Sequence, residues 1–247
     1  VSYDKPRMMD ALTLVMPYYD NPTMLSEQQR QWMKYPEEMR QKLHVVIVDD
    51  CSPRWPARER VLEPEILGLA SFSLYRTLVD VRWNWLFCRN LGVSVATTNW
   101  VLMTDIDHVM PGKTFAAILE TKLSPGMAYR LSRVDAPLGT AYKPHPNTWM
   151  MTRALFDKIG GYDERFSGFY GTDGEFRRRV QDRADGIIML PHTMVRYPRE
   201  VIADASTTTY GRKEPQDRSN VKRIVLERAE IPKWETKRLT FPYERLV

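Results

Sequence analysis

Several common devices are missing from this chain of 247 residues. It has two cysteines, Cys51 and Cys88, and no C-x-x-C pair or Cys/His cluster. Neither a disulfide framework nor a structural zinc is indicated, and two reduced, buried thiols are expected. No apolar run approaches the length of a bilayer span, and the N-terminus lacks a signal-peptide pattern. No G-x-G-x-x-G follows the first strand and no G-x-x-x-x-G-K-[ST] occurs, which argues against a dinucleotide oxidoreductase and a P-loop enzyme. Histidine is scarce: His44, His108, His145 and His192. There is no internal repeat or low-complexity tract.

What is present suits one large domain, or one domain with an appendage: 43% hydrophobic residues and many aromatics. The net charge of +5 favours an anionic partner (nucleotide, nucleic acid or lipid surface) without choosing among them.

Three apolar runs read as buried strands: "DALTLVMPYY" (10–19), "HVVIVDDCSP" (44–53) and "NWVLMTDID" (99–107). "SFSLYRT" (71–77) is a weaker strand. Helices are expected from Asn21 as N-cap with Pro22 at the first position, from Pro36, over 84–98 despite Gly92, and from Pro111. The order β-α-β-α-β-α predicts a parallel sheet with ligands at the carboxyl ends of its strands. Downstream come a strand in "GMAYRLSRVDAP" and a strand and helix in "PHPNTWMMTRALFDKIGGYDERF", closed by Gly160-Gly161. A helix in "GTDGEFRRRVQDRA" and a short strand carrying His192 follow. Past about residue 198 the chain turns polar, with a charged helix (213–230) and an extended tail (231–247).

All three strong strands end in polar residues: Tyr18-Tyr19-Asp20, Asp49-Asp50 and Asp105-Ile106-Asp107. Buried, unpaired carboxylates are costly, so compensation is expected, and three such ends suggest one site. With no phosphate-cradling motif, a divalent cation held by carboxylates can neutralise a diphosphate instead. Asp105 and Asp107 share a face while the strand is extended, whereas His108 should point away.

Two families place D-x-D after an apolar strand. Asp105-Ile106-Asp107-His108-Val109 fits the D-x-D-x-[TV] pattern of the haloacid-dehalogenase phosphatases, in which Asp105 would be the nucleophile and Asp107 the acid/base. That motif normally opens its domain, and no later lysine and acidic pair follows here. More of the chain resembles the GT-A glycosyltransferases, family 2 in particular, over roughly residues 10–200. "LTLVMPYYDNP" is similar to their first strand and nucleotide loop, and "VVIVDDCSP" to their V-D-D-x-S segment. "CRNLGVSVATTNWVLMTDID" is similar to A-R-N-x-G…D-x-D. "MMTRALFDKIGGYDERFSGFYGTDGEFRRRV" is similar to R-x-x-F-x-x-I-G-G-[FY]-D-E-x-F…E-D-x-[ED]-[FL]-x-x-R. One departure is Thr172-Asp173 where that family has Glu-Asp.

The resemblance implies an α/β GT-A (Rossmann-like) fold with a mostly parallel sheet flanked by helices. Residues 1–110 would form the nucleotide-sugar half, 111–200 the acceptor half, and 201–247 a charged helical and extended appendage. The implied activity is metal-dependent, inverting transfer from a UDP- or GDP-type nucleotide-sugar. Pro17, Tyr19, Asp49 or Asp50, Arg89, Asn90 and Asp105 would line the donor pocket, with Tyr19 on the base. Asp107, with Asp105 and His192, would bind Mn²⁺ or Mg²⁺. Asp173 would be the catalytic base, kept ionised at a helix N-terminus, with Glu175 as runner-up. His145 and Trp149 are weaker acceptor-side candidates.

The acceptor is not legible. Without membrane helices, a processive membrane synthase is excluded, and a cytoplasmic protein, free or peripheral at a membrane surface, is expected. A glycan, lipid-linked or small acceptor is favoured. The basic C-terminal segment (Arg212, Lys213, Arg218, Lys222, Arg223, Arg228, Lys233, Lys237, Arg238) leaves open an anionic lipid surface or nucleic acid. Transfer to hydroxymethylated DNA bases, with Trp234, Phe241 and Tyr243 assisting, is one alternative; those aromatics equally suit docking of the tail. A non-catalytic nucleotide-sugar or polyanion binder is another, supported by Thr172. Sugar, nucleotide and oligomeric state are not specified.

Overall fold

Buried apolar runs build the centre of the sheet in the computed structural model, which describes residues 6–169, 171–206, 219–231 and 234–247. The strands are β1 (Leu12–Tyr18), β2 (Leu43–Asp49), β3 (Ser71–Thr77), β4 (Trp100–Met103), β5 (His108–Val109), β6 (Met127–Asp135), β7 (Thr140–Tyr142), β8 (Trp149–Thr152), β9 (Gly186–Arg196) and β10 (Tyr243–Arg245). The helices are α1 (Pro22–Met33), α2 (Glu37–Arg40), α3 (Pro64–Leu67), α4 (Trp85–Ser94), α5 (Gly112–Glu120), α6 (Arg153–Ile159), α7 (Asp173–Arg183) and α8 (Ser219–Glu230). The sheet order is β10-β3-β2-β1-β4-β8-β6-β9-β5, with β7 paired to β6.

The β3-β2-β1-β4 block is parallel, as the alternation of strands and helices requires. Beyond it the sheet is mixed: β8 runs antiparallel to β4, and β6 pairs in parallel with β9. Alternate residues of β1 serve opposite layers. Leu12, Leu14 and Met16 pack with Trp32 of α1 and Phe115 of α5. Val15 packs with Phe87 and Leu91 of α4 and Val180 of α7. A sheet covered on both faces explains the continuous apolar runs.

Asn21 occupies the α1 N-cap position without capping through its side chain. The cap comes from far along the chain: Asp204 accepts from Thr23 N at 2.6 Å and Met24 N at 3.1 Å. Asn21 Nδ2 donates to the Asp204 carbonyl, which ties the segment after β9 to the end of β1.

The C-terminal segment is built into the molecule. Trp234 Nε1 donates to Asp163 at 2.9 Å. Leu239 N and Thr240 N donate to Glu164 at 2.7 and 2.8 Å. Phe241 lies edge-on to Phe87, with centroids 5.5 Å apart, and β10 extends the sheet antiparallel to β3. Gly161 (φ 58°) permits this contact: a Cβ there would stand 2.7 Å from Arg238 Cδ and 2.8 Å from Asn90 Oδ1. In the basic segment, Arg223 pairs with Glu227, Arg228 with Glu175 and Arg238 with Asp157. Arg212, Lys213, Arg218 and Lys233 lie outside the described residues. No helix among the described residues is long and apolar enough to cross a membrane.

Gly92 sets the approach of α4 to the sheet. A Cβ there would fall 2.2 Å from Val15 Cγ1. Gly92→Ala should therefore cost about 1–3 kcal/mol through overpacking, lowering Tm by several degrees in a thermal melt. An unchanged Tm would show that β1 and α4 can separate without cost.

Candidate active site

The ends of β1 and β4 meet at one cleft at the carboxyl edge of the parallel block. Pro17, Asn21, Trp83, Trp85, Asp105, Asp107, His145, Asn147 and Asp173 line it, with Ala205 and Ser206. Asp20, Cys51 and Trp83 hold left-handed backbone conformations (φ 51°, 56° and 48°) on this edge. Such strain in non-glycine residues tends to gather at functional sites.

Asp105 follows β4 and is paired from below. Arg89 on α4 is fully buried and forms an ion pair with Asp105 Oδ1. Its guanidinium lies 4.7 Å from the Trp85 ring centroid and 5.8 Å from that of Tyr162. The rings cover faces that hydrogen bonds leave unused. His145 Nε2 stands 3.1 Å from Asp105 Oδ2. Since His145 Nδ1 accepts from Asn147 N at 3.3 Å, the proton resides on Nε2 and is donated to Asp105. Burial works against the charge on Asp105, but Arg89 and His145 outweigh it and hold the carboxyl well below the ordinary carboxylate range.

Asp107 is treated differently. Its Oδ1 lies 2.6 Å from His108 Nδ1, and among the described residues Oδ2 has no hydrogen-bond partner. The turn that carries it is pinned by Gln28, whose Nε2 donates to Ile106 O at 2.8 Å and His108 O at 2.9 Å. A half-open carboxylate of this kind suits a hard cation. Among the described residues, no three His, Cys, Asp or Glu side chains converge on a metal position.

Across the cleft, Asp173 is the first residue of α7, and its Oδ1 accepts from Asn147 Nδ2. An ionised carboxylate only accepts, so the Asn147 amide is oriented by it. Asn147 Oδ1 is buried and, among the described residues, has no hydrogen-bond partner.

The other expected site residues separate into two groups. Pro17 lines the cleft; Tyr19 and Asp50 are buried at the ends of β1 and β2 and are not among its lining residues. Asp49 is fully buried, and its two oxygens accept from Ser52 N and Ala57 N at 2.8 Å each. Burial pushes its pKa up despite those bonds. It shapes the loop after β2, as does Asp20, which accepts from Trp55 N at 2.9 Å.

The remaining residues are turned elsewhere. Asn90 faces away from the cleft: its amide donates to Tyr162 O and Glu164, and accepts from Tyr162 N at 2.8 Å. Glu175 is paired with Arg228 of α8. Trp149 is a core residue, stacked under Arg130 with its Nε1 on Pro146 O at 2.8 Å. His192 contacts Thr121 Oγ1 at 3.0 Å, beyond the end of α5 and outside the cleft. His108, expected to point away from Asp107, contacts it directly, because the chain turns from Asp105 to His108 and strand alternation does not run through it.

Trp83, Trp85 and Asn147 went unrecognised as cleft residues in the sequence. "VRWNW" offers only two aromatics before "CRN", and Asn147 is marked by nothing beyond its place beside His145.

No family model matches the sequence, and no curated protein matches it. Solved structures match the fold. TarS 1-349 of S. aureus, in complex with UDP-GlcNAc, superimposes with a TM-score of 0.60 at 16% identity, over 79% of this chain and 61% of that one. The mannosyltransferase PcManGT from Pyrobaculum calidifontis, with GDP-Man and Mn²⁺, gives 0.54 at 19% identity, over 79% and 59%. GalNAc-T7, with UDP, GalNAc and Mn²⁺, gives 0.56 at 13%, over 77% and 43%. The chain thus spans about three-fifths of the TarS 1-349 chain it matches. It has the GT-A, Rossmann-like fold: a mostly parallel central sheet flanked by helices.

Because the folded pKa of Asp105 is depressed, the Arg89 pair contributes stability above the unfolded pKa of about 3.9 and loses it as pH falls through the folded value. Arg89→Met should therefore show its largest Tm deficit above about pH 5 and a shrinking one below about pH 4. A deficit independent of pH would mean that Arg89 acts through packing alone.

Proposed function

We propose that this chain is a glycosyltransferase that moves a sugar from a UDP- or GDP-type donor to an acceptor hydroxyl with inversion. The observation that carries it is the meeting of Asp105, Asp107 and Asp173 on one cleft of a GT-A sheet. The donor half would be residues 1–110 and the acceptor half 111–200. A Mn²⁺ or Mg²⁺ held by Asp107 would offset charge on the departing diphosphate. Asp105, held ionised by Arg89, is suited to the ribose hydroxyls of the donor.

Asp173 takes the proton of the acceptor hydroxyl. That oxygen forms its bond to the anomeric carbon as the bond to the diphosphate oxygen breaks, and the electron pair leaves with the nucleotide. Asn147 holds the Asp173 carboxylate in place by its amide N–H. The pairing of Asp105 with Arg89 and His145 weighs against a phosphatase nucleophile there. The internal pairing of Arg223, Arg228 and Arg238 weighs against nucleic acid and favours a glycan, lipid-linked or small acceptor. With no membrane-crossing helix among the described residues, action in the cytoplasm or at a membrane surface belongs to the same proposal.

Thermal-shift screening of UDP- and GDP-sugars with Mn²⁺ or with EDTA should identify the donor, since ligands of the folded state raise its apparent stability. Against that donor, Asp173→Asn should lower transfer by at least about 100-fold while donor binding stays near wild type. Asp107→Ala should abolish metal-dependent turnover with the fold retained. Full activity in Asp107→Ala would overturn the metal role, and donor binding without metal-dependent nucleotide release would identify a pure binder.

A further inference from the structure

We propose that His108 and Arg133 are positioning residues that select which oxygen of Asp107 is offered to the cation. The inference rests on Asp107 as the cation's carboxylate. Arg133 Nη1 lies 2.9 Å from His108 Nε2. A guanidinium only donates, so Nε2 must present its lone pair. The imidazole proton then sits on Nδ1 and is donated to Asp107 Oδ1 at 2.6 Å. Both side chains are buried, with His108 2% and Arg133 5% exposed, so the Arg133–His108 bond is shielded from water.

The assembly is anchored at both ends. Arg133 Nε donates to Lys143 O at 3.0 Å, and its guanidinium lies 4.5 Å from the Tyr142 ring centroid. On the other side, β5 pairs His108 with Arg196 of β9, and Asp107 O accepts from Tyr197 N at 2.8 Å.

The two acids of the D-x-D are thereby given different electrostatic surroundings. Asp105 meets a guanidinium directly, and a cation bound there would compete with Arg89. Asp107 meets an arginine only through a neutral ring. The ring occupies Oδ1 without placing a full positive charge beside the cation, and leaves Oδ2 as the ligating atom. Partners of this outer kind are typically worth about 10- to 100-fold in metal affinity.

The test is Mn²⁺ binding itself. MnCl₂ is titrated into the full chain with UDP, and separately with GDP, and free Mn²⁺ is read from its EPR amplitude. His108→Phe, which keeps a ring but no donor, should weaken Mn²⁺ binding about 10- to 100-fold. His108→Asn, whose amide N–H stands where Nδ1–H stood, should recover most of the loss. Arg133→Met, which frees the imidazole to take either tautomer, should give a smaller loss; it decides the matter if His108→Phe does not fold. Wild-type affinity in His108→Phe, or in Arg133→Met, alongside lost binding in Asp107→Ala overturns the positioning role alone. If the wild type binds no Mn²⁺ with either nucleotide, or Asp107→Ala binds it equally well, the cation site itself falls.

Discussion

The buried guanidinium of Arg89 is the constraint around which the cleft is organised. A full charge with no solvent exposure is tolerable only with a counter-ion and favourable faces. Asp105 supplies the first, Trp85 and Tyr162 the second. Satisfying Arg89 therefore fixes the end of β4, the first turn of α4 and the loop after α6 relative to one another. Its neighbour Asn90 strengthens the same junction by clasping the Tyr162 backbone in both directions. Gly92, one turn along, lets α4 sit close enough to β1 for this to happen.

The parallel half of the fold was readable because burial on both faces writes itself as uninterrupted apolar runs, as in 12–18 and 43–49. The acids at the strand ends were readable as a group for the same reason: a run that stops in carboxylates must stop at an edge. What each acid does was not readable. Asp49 ends one buried strand and Asp107 follows another, yet Asp49 is consumed by two backbone N–H groups from residues three and eight positions later. Loop conformation decides this, and no periodicity records it. The cap on α1 by Asp204 and the contact of His145 with Asp105 are likewise long-range, and local pattern carries no trace of them. His108 was misjudged because strand alternation was carried through a turn, where it does not hold.

The GT-A comparisons give the sheet a known architecture, while the low identity leaves the chemistry to the residues themselves. Here the two halves of the "IGGYDERF…GTDGEF" block separate in purpose. Gly161 and Glu164 organise helix and tail rather than substrate, whereas Asp173, just downstream, faces the cleft. A motif that looks like one signature thus contains both architecture and site.

The docking of β10 bears on what the sheet offers to other chains. β3 would otherwise be the outer strand of the parallel block, presenting an open ladder with Leu74 and Tyr75 nearby. Residues 243–245 cover that ladder, and exposed ladders are templates for pairing with other chains. A chain shortened to the region of resemblance, ending near residue 200, would keep every carboxylate of the cleft. It would also bare a sticky border, so self-association rather than lost chemistry would be its first failing.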